Sequence, residues 1–176
     1  MSTKQINVKF NRKSILGAIN EIDKMRLKIV LIQSDFLKES LMYIRDKANK
    51  NLDDRTYAFP NSANIKADWH INPTTPRFGG QAFELKNTNK LVAFVEFGTG
   101  MVGEDSHPLA DELGYDYDVN NHGEEGWDFY NKKVGIHYVG FTGYEGKQFL
   151  YDAFFDYFNG DEWKPILKMV WERYMK

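Results

Sequence analysis

Residues 14–49 contain no proline and place Ile15, Ile19, Ile22, Ile29, Phe36, Leu37, Leu41, Ile44 and Ala48 at three- and four-residue steps. That spacing gathers the apolar side chains on one stripe of a helix. A helix of this span, on the order of 35 residues at about 1.5 Å each, exceeds the usual globular length. A bend or break is therefore expected near Met25–Ile29. Everything else in the chain has to be arranged along this rod, either covering it or leaving part of it to project.

The remaining elements are shorter. Residues 51–64 lack periodicity and include Pro60, which reads as loop. Ile65, Ala67, Trp69 and Ile71 alternate with polar residues, and so do Phe83 and Leu85 within Gln81–Asn87. Two such runs joined through Pro73, Pro76 and Gly79-Gly80 predict an antiparallel hairpin. Further on, Tyr115, Tyr117 and Val119 lie on one side of Asn120-Asn121-His122-Gly123, with Trp127, Phe129 and Tyr130 on the other. Aromatic alternation about an Asn/Gly turn predicts a second hairpin. Two amphipathic stripes close the chain: Phe149, Leu150, Ala153, Phe154, Tyr157 and Phe158, then Trp163, Ile166, Met169, Val170 and Tyr174. Asn159-Gly160 separates them, and Pro165 sits near the first turn of the second, where proline is tolerated. The expected fold is α+β: a long N-terminal helix, a small antiparallel β-sheet with an acidic β-hairpin flap, and C-terminal helices. At 176 residues with 42% hydrophobic and 15% aromatic content, one domain over residues 1–176 is expected, with 103–131 as the flap.

Charge is balanced overall and uneven locally. The net charge of -2 and pI of about 6.1 leave no overall footprint for nucleic acid. From Leu91 to Asn131, however, there is no Lys or Arg, while Glu96, Glu104, Asp105, Asp111, Glu112, Asp116, Asp118, Glu124, Glu125 and Asp128 all fall there. Lys4, Lys9, Arg12, Lys13, Lys24, Arg26 and Lys28 lean the other way. A chain polarised like this can meet copies of itself, basic end to acidic flap. The absence of cysteine removes disulfide and thiolate chemistry. The opening MSTKQINVKFNRK is too polar for a secretory signal, and no apolar run approaches the roughly 18 residues that cross a bilayer. A soluble protein made in a cytoplasm is expected.

The segment Gly98-Thr99-Gly100-Met101-Val102-Gly103 fits G-x-G-x-x-G and follows the apolar run Leu91–Val95. As a dinucleotide fingerprint it would need to lead directly into a helix whose N-terminus receives pyrophosphate. Pro108 and Gly114 leave room for a turn or two, and Glu104 and Asp105 would face the phosphates. No cofactor is expected. His70, His107, His122 and His137 form no metal-binding pair, and no nucleophile motif is present. No catalytic or metal-ligating residue is expected. Gly98 and Gly100 are read instead as a sharp bend at the end of a buried run. Glu96 then anchors that bend through hydrogen bonds from Thr99 or nearby backbone N–H groups.

Ala93-Phe94-Val95-Glu96-Phe97-Gly98-Thr99-Gly100 resembles the Y-A-x-(Y/F)-V-E-(F/Y)-G-T-G segment of the tail-completion, or head–tail joining, proteins of long-tailed bacteriophages. The acidic loop Tyr115–Gly123 with Gly126-Trp127 resembles versions from phages of Gram-positive hosts. Gly146–Ala153 resembles the family's entry into its last helix, with Gln148 where proline is frequent. The resemblance implies a non-enzymatic virion component, assembled in the host cytoplasm into a ring, sixfold by analogy, at the neck between head and tail. Implied partners are copies of itself, an adjacent head-completion or connector protein, a tail tube or terminator protein, and DNA passing without sequence recognition. It implies no membrane. Glu96, Phe97, Gly98, Thr99, Gly100, Tyr115, Tyr117, Trp127, Phe129, Tyr130 and Phe149 are the expected contact residues between subunits or within the neck. Two other readings stay open: a small metal-assisted hydrolase using His107, His122 and the acids around them, and an adaptor that binds a host protein through the flap.

Overall fold

The computed structural model describes residue 6 and residues 8–54, 62–76, 80–132 and 135–175. It is α+β. The N-terminal helix α1 (Arg12–Asp54) runs for 43 residues without interruption, so the break expected near Met25–Ile29 does not occur. At about 1.5 Å per residue it spans roughly 65 Å. Its C-terminal half is the wall on which the rest is built.

A short helix α2 (Ser62–Ala67) follows. It takes Ile65 and Ala67 away from the predicted strand, which begins at Trp69. Strands β1 (Trp69–Thr74) and β2 (Ala82–Asn87) pair antiparallel, with Trp69 opposite Asn87 and Ile71 opposite Leu85. The apolar run 91–97 is largely helical. It forms helix α3 (Val92–Phe97), then the two-residue β3 (Gly98–Thr99) and single-turn helices α4 (Gly100–Gly103) and α5 (Ala110–Leu113). The flap hairpin is β4 (Trp127–Asn131) with β5 (Ile136–Phe141). This corrects the expectation that residues 115–119 would pair with 127–130. Strand β6 (Tyr144–Glu145) pairs with β3, and helices α6 (Phe149–Asn159) and α7 (Trp163–Met175) end the chain. Among the described residues the strands form three separate two-stranded sheets.

The core lies between α1 and α6. Ile44, Ala48 and Leu52 recur every four residues on α1 and meet Phe149, Ala153 and Tyr157 of α6, with Ile65 and Val95 closing the ends. Trp69 stands edge-on to Phe149 with ring centroids 6.5 Å apart. Its indole N–H donates to the Asn49 side chain at 2.9 Å, which ties β1 to the rod. Helix α7 lies along the same rod, held at its rim by Arg173 to Asp35 and Glu39 and by Lys28 to the Tyr174 carbonyl.

One polar contact is buried in this interface. The Tyr157 hydroxyl donates to Ser40 Oγ at 2.5 Å, and Ser40 Oγ donates to the Phe36 carbonyl at 2.6 Å. Burial pushes the Tyr157 phenol above its ordinary range. Ser40→Ala leaves that hydroxyl without its acceptor in a nearly closed site. The expected loss is about 1–2 kcal/mol of unfolding free energy in a urea titration, with an unchanged m-value.

Candidate functional site

The buried carboxylate Glu96, only 6% exposed, is the hub of the molecule's polar chemistry. Helix α3 delivers it from below to the start of α6. Its Oε2 accepts the Leu150 N–H at 2.9 Å and its Oε1 the Tyr151 N–H at 2.7 Å. These are among the first backbone donors of α6, which have no partner inside their own helix. The residue at the cap position, Gln148, makes no side-chain capping bond and takes left-handed angles, φ 49° and ψ 30°. A residue some fifty positions earlier thus supplies the cap, and its negative charge meets the positive end of the helix dipole.

His107 completes the cluster. Its Nδ1 accepts the Leu109 N–H at 3.1 Å, which leaves Nε2 to carry the proton and donate to Glu96 Oε1 at 3.2 Å. The imidazole lies 4.2 Å from the Phe97 ring and stands edge-on to Tyr151 at 5.4 Å. Burial pushes the Glu96 carboxyl above the ordinary carboxylate range, while the Leu150 and Tyr151 N–H groups and His107 pull it back. Of the donors expected for Glu96, Thr99 or backbone N–H groups, the backbone supplies two, Leu150 and Tyr151 at the start of α6, and His107 adds a third.

Around this hub, two backbone segments lie against each other. Lys147 N–H donates to the Val95 carbonyl at 2.7 Å and Gln148 N–H to the Glu96 carbonyl at 3.1 Å. Ser106 Oγ donates to the Phe97 carbonyl at 2.8 Å and accepts the Gly146 N–H at 3.0 Å. The Gln148 side-chain amide reaches the Ser106 carbonyl. A proline at this place would be locked near φ -65°. It could neither adopt the angles of Gln148 nor donate its N–H.

The contact is closest at the glycines. A Cβ on Gly98, whose φ is +93°, would sit 2.6 Å from the Gly146 nitrogen and 2.7 Å from the Tyr144 carbonyl oxygen. A Cβ on Gly143, with φ +106°, would fall 1.7 Å from the Thr99 carbonyl oxygen. The G-x-G-x-x-G spacing therefore marks a backbone crossing. Its donors are used internally: the Gly98 N–H bonds to the Phe94 carbonyl and the Gly100 N–H to the Tyr117 carbonyl at 2.7 Å. The helix that follows, α4, is a single turn, too short to present the N-terminus that a pyrophosphate needs.

The expected contact residues divide into two groups. Glu96, Gly98, Gly100 and Phe149 are buried inside the subunit, with Phe149 wholly in the core. Within the single chain Glu96 and Phe149 present almost no side-chain surface, and Gly98 and Gly100 are covered by neighbouring segments. Phe97 and Tyr115 stack at 4.5 Å, Tyr117 stands edge-on to Tyr115, and the Tyr115 hydroxyl donates to the Gly98 carbonyl at 3.0 Å. With Thr99 they form a half-buried pad over the crossing. Burial pushes the phenol of Tyr144, beneath this pad, up to about 12. Trp127 and Phe129 pack within the flap, against Phe141 and Tyr138, and Tyr130 points outward at 58% exposure.

His122 belongs to a different network from His107. Its Nδ1 lies 2.6 Å from Asp118 Oδ1, and Asp118 Oδ2 accepts the Gly123 N–H at 2.8 Å. The Gly123 N–H and His122 hold the Asp118 carboxyl below its ordinary range. The two histidines that a metal-assisted hydrolase would use are thus engaged apart. Among the described residues no group of three His, Asp or Glu is placed to hold a metal ion, and no helix is long and apolar enough to cross a membrane.

No known protein family, curated protein or solved structure matches the chain.

Sequence reasoning singled out Glu96 and the glycines of 98–103 but missed Ser106 and Gly143, and it named His107, Gly146 and Gln148 without joining them to Glu96. The available signal was a second glycine cluster, Gly140, Gly143 and Gly146, lying just before the predicted C-terminal helix.

Proposed function

We propose that this chain is a structural component of a bacteriophage virion, one subunit of a ring at the neck that joins the tail to the DNA-filled head. The observation that carries this reading is a meeting of two segments. Residues 93–100 and 146–153, which bear the strongest resemblance to the tail-completion proteins, are offset by 53 positions in sequence. They are joined in space through Glu96, Lys147, Gln148, Leu150 and Tyr151. A motif pair that builds one structural joint is what a scaffold protein would keep together.

Two further features support the reading. Large apolar side chains stand exposed on α6 (Phe155, Phe158) and on the flap (Tyr130, Ile136, Val139), as a subunit that is covered by neighbours requires. Glu104, Asp105, Asp111, Glu112, Glu124 and Glu125 are all exposed on the segment that lacks basic residues. Facing a channel, they would repel the DNA backbone and let it slide.

The test is immunogold electron microscopy of the phage particles that encode this chain. Gold is expected at the head–tail junction, and particles assembled without the chain are expected as filled heads and free tails. Gold at the distal tail tip, or virions that contain none of this polypeptide, would overturn the proposal.

A further inference from the structure

Asn159-Gly160 is the one Asn-Gly pair in the chain. An asparagine before glycine is prone to lose its side-chain amide, because a residue without Cβ lets its backbone nitrogen swing onto the asparagine Cγ. The fold explains why such a labile pair stands here. Asn159 is the last residue of α6, and Gly160 opens the short link to α7. A Cβ on residue 160 would lie 2.6 Å from the Asp156 carbonyl oxygen, so the exit from α6 requires glycine. Asn159 in turn donates its side-chain amide to the Phe155 carbonyl at 3.1 Å. Both residues are exposed, so water and hydroxide reach them.

The same bonds hold the reacting groups apart. The Gly160 N–H, which must lose its proton to become a nucleophile, donates to the Asp156 carbonyl at 2.8 Å. The Asn159 amide is tied to the Phe155 carbonyl, and ring closure requires the Asn159 backbone to leave its helical angles. Electrophile and nucleophile are therefore both fastened to the last turn of α6. Helix ends fray, at a free-energy cost well below that of global unfolding. A single opening of that turn releases both groups together.

We propose that Asn159 is a deamidation site of this protein, gated by the last turn of α6. The Gly160 nitrogen gives its proton to hydroxide and forms a bond to Asn159 Cγ. The bond from Cγ to the amide nitrogen breaks, and the nitrogen leaves as ammonia with a proton taken from water. Water then opens the cyclic imide at either carbonyl, giving aspartate or its isoaspartyl isomer; the sum is one water consumed and one ammonia released. The product cannot remake the closed turn. A carboxylate has no N–H for the Phe155 carbonyl, and its charge faces the negative end of the α6 dipole. The isoaspartyl form also inserts a backbone carbon between α6 and α7. The chain thus carries a slow, one-way record of its age where one C-terminal helix hands over to the other. This inference stands apart from the neck reading, because it requires only the fold of the single chain.

The experiment is peptide mapping by mass spectrometry of the full chain incubated at mildly alkaline pH, in native buffer and in guanidinium chloride. In denaturant, Asn159 is expected to convert before any other asparagine. In native buffer its conversion is expected to be at least tenfold slower. Phe158→Gly weakens the last turn through helix propensity at a side chain that is 60% exposed. It is expected to reduce the ratio of denatured to native rates at least twofold, with an unchanged near-ultraviolet circular dichroism spectrum. Should Phe158→Gly fail to fold, the two wild-type rates and the order of conversion decide alone. Native and denatured rates within tenfold of each other, another asparagine converting first in denaturant, or a folded Phe158→Gly with the wild-type ratio would overturn the proposal.

Discussion

Replacing Glu96 by alanine is expected to lower the unfolding free energy by about 3 kcal/mol, since hydrogen bonds to a charged group are each worth about 1.5–3 kcal/mol and the donors left behind are buried. The Leu150 and Tyr151 N–H groups and His107 Nε2 all point at this one carboxylate. None of them gains access to water when the side chain is cut away. Glu96→Gln is expected to fall between wild type and alanine. Its carbonyl oxygen can serve Tyr151 and His107, but its NH₂ then faces the Leu150 N–H, donor against donor. Urea titration at pH 7 with tryptophan fluorescence measures both.

The same pair of proteins carries a pH signature. Burial raises the Glu96 carboxyl in the folded state above the 4.5 of a free glutamate. Its contribution is therefore fully present below that value and is lost as pH rises through the raised one, because over this window the folded state holds the proton more tightly. Glu96→Gln has no such group. The stability advantage of wild type over Glu96→Gln is expected to shrink as pH increases from 4.5. An advantage that grows with pH would show that the hydrogen bonds outweigh burial.

Gly143→Ala is expected to cost more, roughly 3–5 kcal/mol, from a strained backbone and an overpacked contact acting together. The new Cβ would stand 1.7 Å from the Thr99 carbonyl oxygen, and relief requires the two backbone segments to separate. Separation would strain the β3–β6 pairing and the bond from Val102 N–H to the Thr142 carbonyl. Gly114→Ala is the matched control. Its φ is also positive, +64°, but nothing lies within 4 Å of the added carbon, so only the left-handed penalty of about 1–2 kcal/mol applies. Thermal melts of the two variants separate crowding from conformational preference. Equal melting temperatures would mean that the crossing is looser than the geometry indicates.

The parts of this fold that could be read from sequence are those with a period. The stripe Ile44, Ala48 on α1 and the stripe Phe149, Ala153, Tyr157 on α6 pack directly against each other, and the alternation across Trp69–Ile71 and Phe83–Leu85 became a hairpin. The run Leu91–Phe97 has no period that distinguishes helix from strand, being short and apolar throughout. Local polar groups decide it: Asn89 Oδ1 accepts the Leu91 N–H, and the Asn89 carbonyl accepts the Val92 N–H, which starts a turn. The flap was misjudged for a similar reason. Asn120–Gly123 does turn the chain, but Asp118 takes up His122 and the Gly123 N–H within the loop. Strand β4 then pairs forward with 136–141. The joint at Glu96 was legible as a buried charge needing donors, and those donors lay 11, 54 and 55 residues away, beyond any local rule.

The rod comes first in the chain and the helix that covers it comes almost last. Helix α1 is complete by residue 54, yet its main partner begins at residue 149. At about 5–20 residues per second, a ribosome needs roughly 5–20 s to make the intervening stretch. Throughout that interval Ile44, Ala48 and Leu52 stand open to water and to any other nascent chain nearby. The closing loop is long, so folding is governed by completion of synthesis and not by the early helix. A chain of this design passes its most vulnerable moment while still attached to the machine that makes it.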